Sequence, residues 1–194
     1  MARYDKVHKE ETRRRIVENA GRRLKKDGLD GSGVATLMAD AGLTNGAFYA
    51  HFASKDDLIA ATITQQLQEQ RALLKRLAEE PDGYTRFVHG YLSTEHRDDV
   101  ENGCPSGALL DEVARSSPAI KQAYSDGILG LADDLAVLMA QGSPTDGRRK
   151  ALGCIAILVG SLQLARAIND PRESTAVLAQ GVRSISALLE APED

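Results

Sequence analysis

The side chains best placed to read another molecule are gathered in the stretch GLTNGAFYAHFASK, from Gly42 to Lys55. Thr44, Asn45, Tyr49 and His51 carry hydrogen-bonding groups, and Gly46 and Ala47 among them have almost no bulk. A short helix of that kind suits the major groove of DNA, where base edges present distinct donor and acceptor patterns. Asn45 bears on base choice, because a carboxamide pairs bidentately with adenine whereas Arg or Lys prefers guanine. Tyr49 reads either as a phosphate contact or as a core residue. His51 either meets phosphate when protonated or packs.

A second chemical centre is Cys104, in NGCPSGALLDEVA, where a helix should begin with Pro105 in its first turn. Unpaired N–H groups at a helix start favour the thiolate, the form that reacts with electrophiles and oxidants. Asp98, Asp99, Glu101 and Asp111 are near in sequence and oppose that effect. A buried cysteine is also a common small hydrophobe. Cys154 lies inside an apolar run and reads as core. Tyr84, Phe87, His89, Tyr91, Tyr124 and Gln163 are candidate linings for a modest, mostly apolar ligand, although each also suits ordinary packing.

Helices must position these groups. Ile16, Val17, Ala20 and Leu24 recur at helical spacing and predict a helix over about His8–Lys26, with Arg13, Arg14, Arg15, Arg22 and Arg23 mostly off that face. Ser32 is the expected N-cap of a short helix to Ala41, with Val34, Leu37 and Met38 inward. Gly42 then makes a tight turn, and Thr44 caps a helix from Asn45 to Phe52. Two short helices joined by AGLT have the spacing of a helix-turn-helix. Ser54 caps a long helix from Lys55 to about Ala78, with Asp56 and Asp57 in its first turn. Beyond it, helices are predicted over Asp82–His96, Pro105–Arg115, Pro118–Gln141, Gly147–Ile168 and Arg172–Leu189. RDDVENGCPSG and GSPTDG read as loops. The expected fold is all-α, with about nine helices and no strand.

The 194 residues carry a net charge of −4, which looks wrong for a DNA partner until it is divided along the chain. Through Lys55 there are eleven Lys and Arg against seven Asp and Glu; after it, thirteen against twenty-one. A basic head precedes an acidic body. No stretch of eighteen uninterrupted apolar residues marks a membrane span, and the charged N-terminus lacks a secretory h-region. With two cysteines and no disulfide framework, a reducing cytoplasm is the expected compartment. Scattered histidines, and no GxSxG elbow or Walker loop, argue against an enzyme or a metal site, and no cofactor is expected.

The stretch VATLMADAGLTNGAFYAHFASKDDLIAA resembles the signature of the TetR family of repressors over roughly residues 10–60. The matching positions are Tyr49, His51, Phe52, Ser54, Lys55, Asp56 and Asp57. The resemblance implies that Thr44, Asn45, Ala47 and Tyr49 face operator DNA. It implies too that Ser32 and Gly33 open the second helix near a phosphate, that Lys55 meets phosphate, and that Phe48 and Phe52 pack in the head. Asn45 departs from the Lys or Arg frequent there, and His51 stands where an aromatic is common. Cys104 resembles the electrophile- and oxidant-sensing branch, where Gly-Cys opens the sixth helix. The family pattern implies a ligand pocket in the body and a dimer interface on the last two helices. ALGCIAILVGSLQLARAI is apolar nearly all round, which agrees with the second point. Ile157, Gly160, Ser161, Leu164, Leu178, Val182, Ile185 and Leu189 are the expected interface residues. The expected organisation is a DNA-binding domain over 1–54 and an effector-binding, dimerising domain over 55–194. The expected function is a homodimeric repressor of a palindromic operator, released by a small effector or thiol modification. An activator of the same fold, a helical ligand-binding protein and an enzyme are the alternatives.

Overall fold

The computed structural model describes residues 2–139 and 144–190. Of the loop expected over 142–147, residues 142 and 143 lie outside them, while Pro144–Gly147 are not loop but the first turn of a helix. The described residues form nine α-helices and one 3-10 helix, with no strand.

Helix α1 spans Ala2–Asp27 and buries Ile16, Val17, Ala20 and Leu24, the face read from their spacing. It ends at Gly28, whose positive φ of 84° lets its N–H reach the Leu24 carbonyl. Helix α2 (Val34–Asp40) turns Leu37 and Met38 inward. Its N-cap is Gly33, not Ser32: the buried Ser32 hydroxyl donates to Asp27 at 3.0 Å instead. The following turn is a Schellman closure. Gly42 sits at φ 70°, its N–H reaches the Ala39 carbonyl, and the Leu43 N–H reaches Met38.

The segment expected to be an α-helix from Asn45 to Phe52 is a 3-10 helix over Asn45–Ala50. Thr44 caps it by backbone conformation, without a side-chain bond. Helix α3 (Lys55–Leu77) starts as expected: the Ser54 hydroxyl accepts from the Asp57 N–H, and Asp57 accepts from the Ala53 N–H.

The helix expected over Asp82–His96 is two. Helix α4 (Gly83–Tyr91) stops before Ser93, which caps a short α5 (Thr94–Asp98) by accepting from the His96 N–H. At the break His96 folds back to hydrogen-bond the Tyr91 carbonyl at 2.7 Å, a local bond that takes the place of helix continuation. Helices α6 (Pro105–Arg115), α7 (Pro118–Leu138), α8 (Pro144–Ala167) and α9 (Pro171–Glu190) complete the body.

Two hydrophobic clusters organise the molecule. The first joins the inner faces of α1 and α2 with Phe48 and Phe52, and continues through Leu58, Ile59, Ile63 and Leu67 of α3 to Leu109, Val113 and Ile120. The head's core is therefore not closed at Ser54. The second centres on α8, with Cys154, Leu158 and Leu162 packed on α4, α7 and α9. Although α8 holds no long uninterrupted apolar run, Gly147–Ala167 is long and apolar enough to cross a membrane by composition. Here it is the central helix of the body core.

Candidate nucleic-acid interface and effector cavity

The head presents polar groups on a fixed base. Phe48 and Phe52 are buried and stacked, with ring centroids 5.8 Å apart. Thr44, Asn45, Gly46 and Ala50 are exposed around them, Ala47 is half-buried, and Tyr49 is 77% exposed with its ring edge-on to Phe48. Tyr49 is thus a surface residue, which resolves the choice between surface and core. Arg13 lies over the Phe52 ring at 4.5 Å, anchoring α1 beside the same surface. His51 is half-buried, and its Nδ1 is enclosed without a hydrogen-bond partner. Burial, then the charges of Lys9 and Arg13, push its pKa down, so its packing role dominates near neutral pH. Lys55 reaches Asp30 at 3.7 Å, and Arg23 grips Asp40 at 2.7 Å, tying α1 to α2. Gly33 is exposed where α2 opens, whereas Ser32 is spent on Asp27.

Beneath the head, a cavity of about 630 Å³ opens between the second half of α1, α3, α4 and the turn before α6. Of the candidate lining residues, Phe87, Tyr91 and Cys104 border it, and Tyr84, Tyr124 and Gln163 do not. The Tyr84 hydroxyl lies 3.6 Å from the Cys154 sulfur deep in the core, and the Tyr124 hydroxyl donates to Ser106. Gln163 is half-buried on α8, and His89 is exposed. The lining is also more polar than expected. Arg22, Lys25, Gln65, Gln66, Glu69, Gln70, Arg76 and His96 contribute to it. Sequence reasoning passed over these because, on an amphipathic helix, they look like a solvated face.

Cys104 is the N-cap of α6, 3% exposed, with its sulfur 3.6 Å from Gln70 Oε1. Its N–H donates to His96 Nε2 at 3.0 Å, while His96 Nδ1 holds the Tyr91 carbonyl. Both bonds fit the neutral imidazole protonated on Nδ1, and burial keeps its pKa low. The nearby acids are engaged elsewhere: Asp98 with Arg97, Glu101 with Lys26, Asp111 with Arg115 and Asp99 with Asn102. Arg166 of α8 donates to the carbonyls of Arg97, Gly107 and His96 at 2.7–2.9 Å, holding α5 and α6 together.

The family model for bacterial regulatory proteins of the tetR family matches residues 16–62, the span from the buried face of α1 to the first turns of α3. The match places the head, about a quarter of the chain, beside the DNA-binding region of that family. Among relatives, the HTH-type transcriptional regulator TtgR of Pseudomonas putida is 37% identical over 82 residues, 42% of this chain and 39% of that protein. The uncharacterized HTH-type transcriptional regulator YvdT of Bacillus subtilis is 29% identical over 115 residues, 57% of this chain and 59% of that protein. The matches thus span less than two thirds of either relative. Two solved structures share the fold along almost the whole chain. The reduced form of E. coli NemR gives a TM-score of 0.75 at 20% identity, covering 91% of this chain and 96% of that one. A TetR-family regulator from Agrobacterium tumefaciens gives 0.74 at 20% identity, covering 94% and 97%.

Within the helical body, the expected dimer residues divide. Leu178 and Ile185 are 2% and 1% exposed and belong to the chain's own core, so they are closed to a partner. Ser161 also faces inward: a Cβ added at Gly181 of α9 would stand 2.6 Å from its Oγ. Ile157, Val182 and Leu189 are half-buried. Gly160 is exposed with open space beside it, and Leu164 is 54% exposed. With Leu152 and Ala156 these two form an i, i+4 ridge along the outer face of α8.

Proposed function

We propose that this chain is a ligand-responsive transcriptional repressor that binds a palindromic operator as a homodimer in the cytoplasm. The observation that carries the reading is the exposed set Thr44, Asn45 and Tyr49, raised on the buried Phe48–Phe52 pair. Asn45 reads a base edge, Tyr49 and Lys55 contact phosphate, and the exposed N-terminus of α2 at Gly33 lies against the backbone. A phosphate takes Lys55 from Asp30, a substitution of one charge partner for another. The second copy docks on the α8 ridge of Leu152, Ala156, Gly160 and Leu164. Two heads held at fixed separation then read two half-sites about 34–36 Å apart or at a related spacing.

The cavity is the effector site, and its position supports a release mechanism. Lys25 of α1 donates to the Gly103 carbonyl, and the Leu29 N–H donates to Glu112. The head is thereby fastened to the turn that carries Cys104. A ligand, or an electrophile adding at the Cys104 sulfur, favours an arrangement in which these ties shift, and operator affinity falls by population shift.

Fluorescence anisotropy with a symmetric duplex and a scrambled duplex, at several salt concentrations, tests the reading. Preference for the symmetric duplex by a dimer is expected; a monomer without that preference would overturn it. Treatment with iodoacetamide should release wild-type protein from the operator but not Cys104→Ser. Equal release of both would make Cys104 structural. A promoter–reporter assay distinguishes repression from activation.

A further inference from the structure

The polar groups of the 630 Å³ cavity do not balance. Lys25 is only 7% exposed, and the hydrogen bond its ammonium makes goes to a neutral carbonyl, that of Gly103. Burial pushes its pKa down, with nearby Cys104, Glu69 and Asp99 only partly offsetting this and Arg22 adding to it. The acids on the cavity wall are largely engaged outward: Glu18 with Arg14 and Glu101 with Lys26. Glu69 takes the Gln65 amide. Arg86 pairs with Glu80. Arg22 and Arg76 make no ion pair among the described residues, so positive charge predominates. Tyr91 supplies an independent sign. It is 9% exposed, lines the cavity beside Cys104, and its buried hydroxyl has no hydrogen-bond partner of acceptable geometry. A buried hydroxyl without a partner costs free energy, which a ligand acceptor recovers. Behind these groups the wall is apolar, with Leu77 and Phe87 leading to a narrow crevice between Ile128, Leu131 and Leu158.

We propose that the cavity takes an organic monocarboxylate with an apolar body. Its carboxylate accepts from the Lys25 ammonium and the Tyr91 hydroxyl, and its hydrocarbon part lies against Phe87 and Leu77. This rests on the reading of the cavity as the effector site and names the class of effector. Charge-assisted bonds in a partly dry site are the strong kind, and one buried ammonium matches one negative charge. The anion competes with the Gly103 carbonyl for Lys25, so binding acts directly on a tie between head and body.

Calorimetric titration of the full chain, without DNA, tests the assignment. The probes are octanoate and 2-naphthoate, their neutral amides, and octylamine. Both carboxylates are expected to bind at least about tenfold more tightly than their amides, with octylamine weakest. Lys25→Met should erase the preference and Lys25→Arg keep it, while Tyr91→Phe lowers carboxylate affinity several-fold. Amides binding as well as the acids, octylamine binding best, or no carboxylate binding at about 5 mM would each overturn the proposal. If Lys25→Met does not fold, the wild-type ratio of acid to amide decides alone. Operator binding plays no part in these measurements, so failure here leaves the DNA reading standing, and failure there leaves this one standing.

Discussion

The surface proposed for DNA recognition and the cavity use polar groups in opposite ways. Around Tyr49 the polar atoms stand in water on a close-packed aromatic base, at no desolvation cost until a partner arrives. Around Tyr91 and Lys25 they are already desolvated and incompletely paired. The first arrangement is a rigid template whose partner must bring its own complement. The second is a poised site, in which part of the cost of burying polar groups is built into the empty protein. Substitutions should therefore separate the two regions by whether they act on stability or on binding.

The largest effect is expected at the base of the template. Phe48→Ala should cost about 3–5 kcal/mol of stability by emptying a fully buried site, read as a lowered denaturant midpoint, with operator binding lost as the head loosens. Arg166→Met comes next. It leaves three carbonyls behind α5 and α6 without their cationic donor, and a loss on the order of 3 kcal/mol is expected in the same measurement. An unchanged midpoint for Arg166→Met would show that water replaces the guanidinium freely, and the body would then be less dry than described.

The poised site should also respond to pH. His96 has a pKa lowered from its ordinary value of 6.5, so the unfolded chain takes up a proton that the folded chain resists. Stability is then fully present above about 6.5 and declines as pH falls below it. His51 contributes with the same sign. His96→Gln should flatten, though not abolish, the rise in unfolding free energy between about pH 5 and 7; a slope as steep as wild type would remove His96 from this account. The smallest stability effects belong to the exposed face of the template. Tyr49→Phe and Lys55→Ala should each change stability by less than about 0.5 kcal/mol, yet together flatten the salt dependence of operator binding by about one or two units.

The sequence showed the template more clearly than the poised site. Pro105, Pro118, Gly42 and Ser54 mark helix ends by chemistry internal to the chain, and those boundaries reappear within a residue or two. The spacing of Ile16, Val17, Ala20 and Leu24 likewise fixes one face of α1 without reference to anything else. The 3-10 geometry of Asn45–Ala50 was hidden because Gly46 and a short span leave both helical forms open. Leu178 and Ile185 show why the dimer face was harder: an apolar stripe announces burial but not whether the cover comes from the same chain. The break at Leu92 and Ser93 was partly legible, since Ser93 caps α5 by a local bond, but the His96 ring that closes back on Tyr91 is also held by the Cys104 N–H in the next turn. Lys25 was missed for a related reason. Its burial comes from the turn at Gly103, seventy-eight residues away in sequence.

The 26-residue length of α1 has a mechanical consequence. Arg13, leaning on Phe52 beneath the exposed surface around Tyr49, and Lys25, in the cavity wall, are separated by roughly 18 Å along one unbroken rod. A rod transmits tilt without attenuation. If it pivots midway between these two residues, a shift of about 1 Å at Lys25 moves Arg13 by a similar distance in the opposite sense. Hydrogen-bond registry with base edges tolerates only a few tenths of an ångström. A displacement that small at the cavity is therefore enough to throw the reading surface out of alignment.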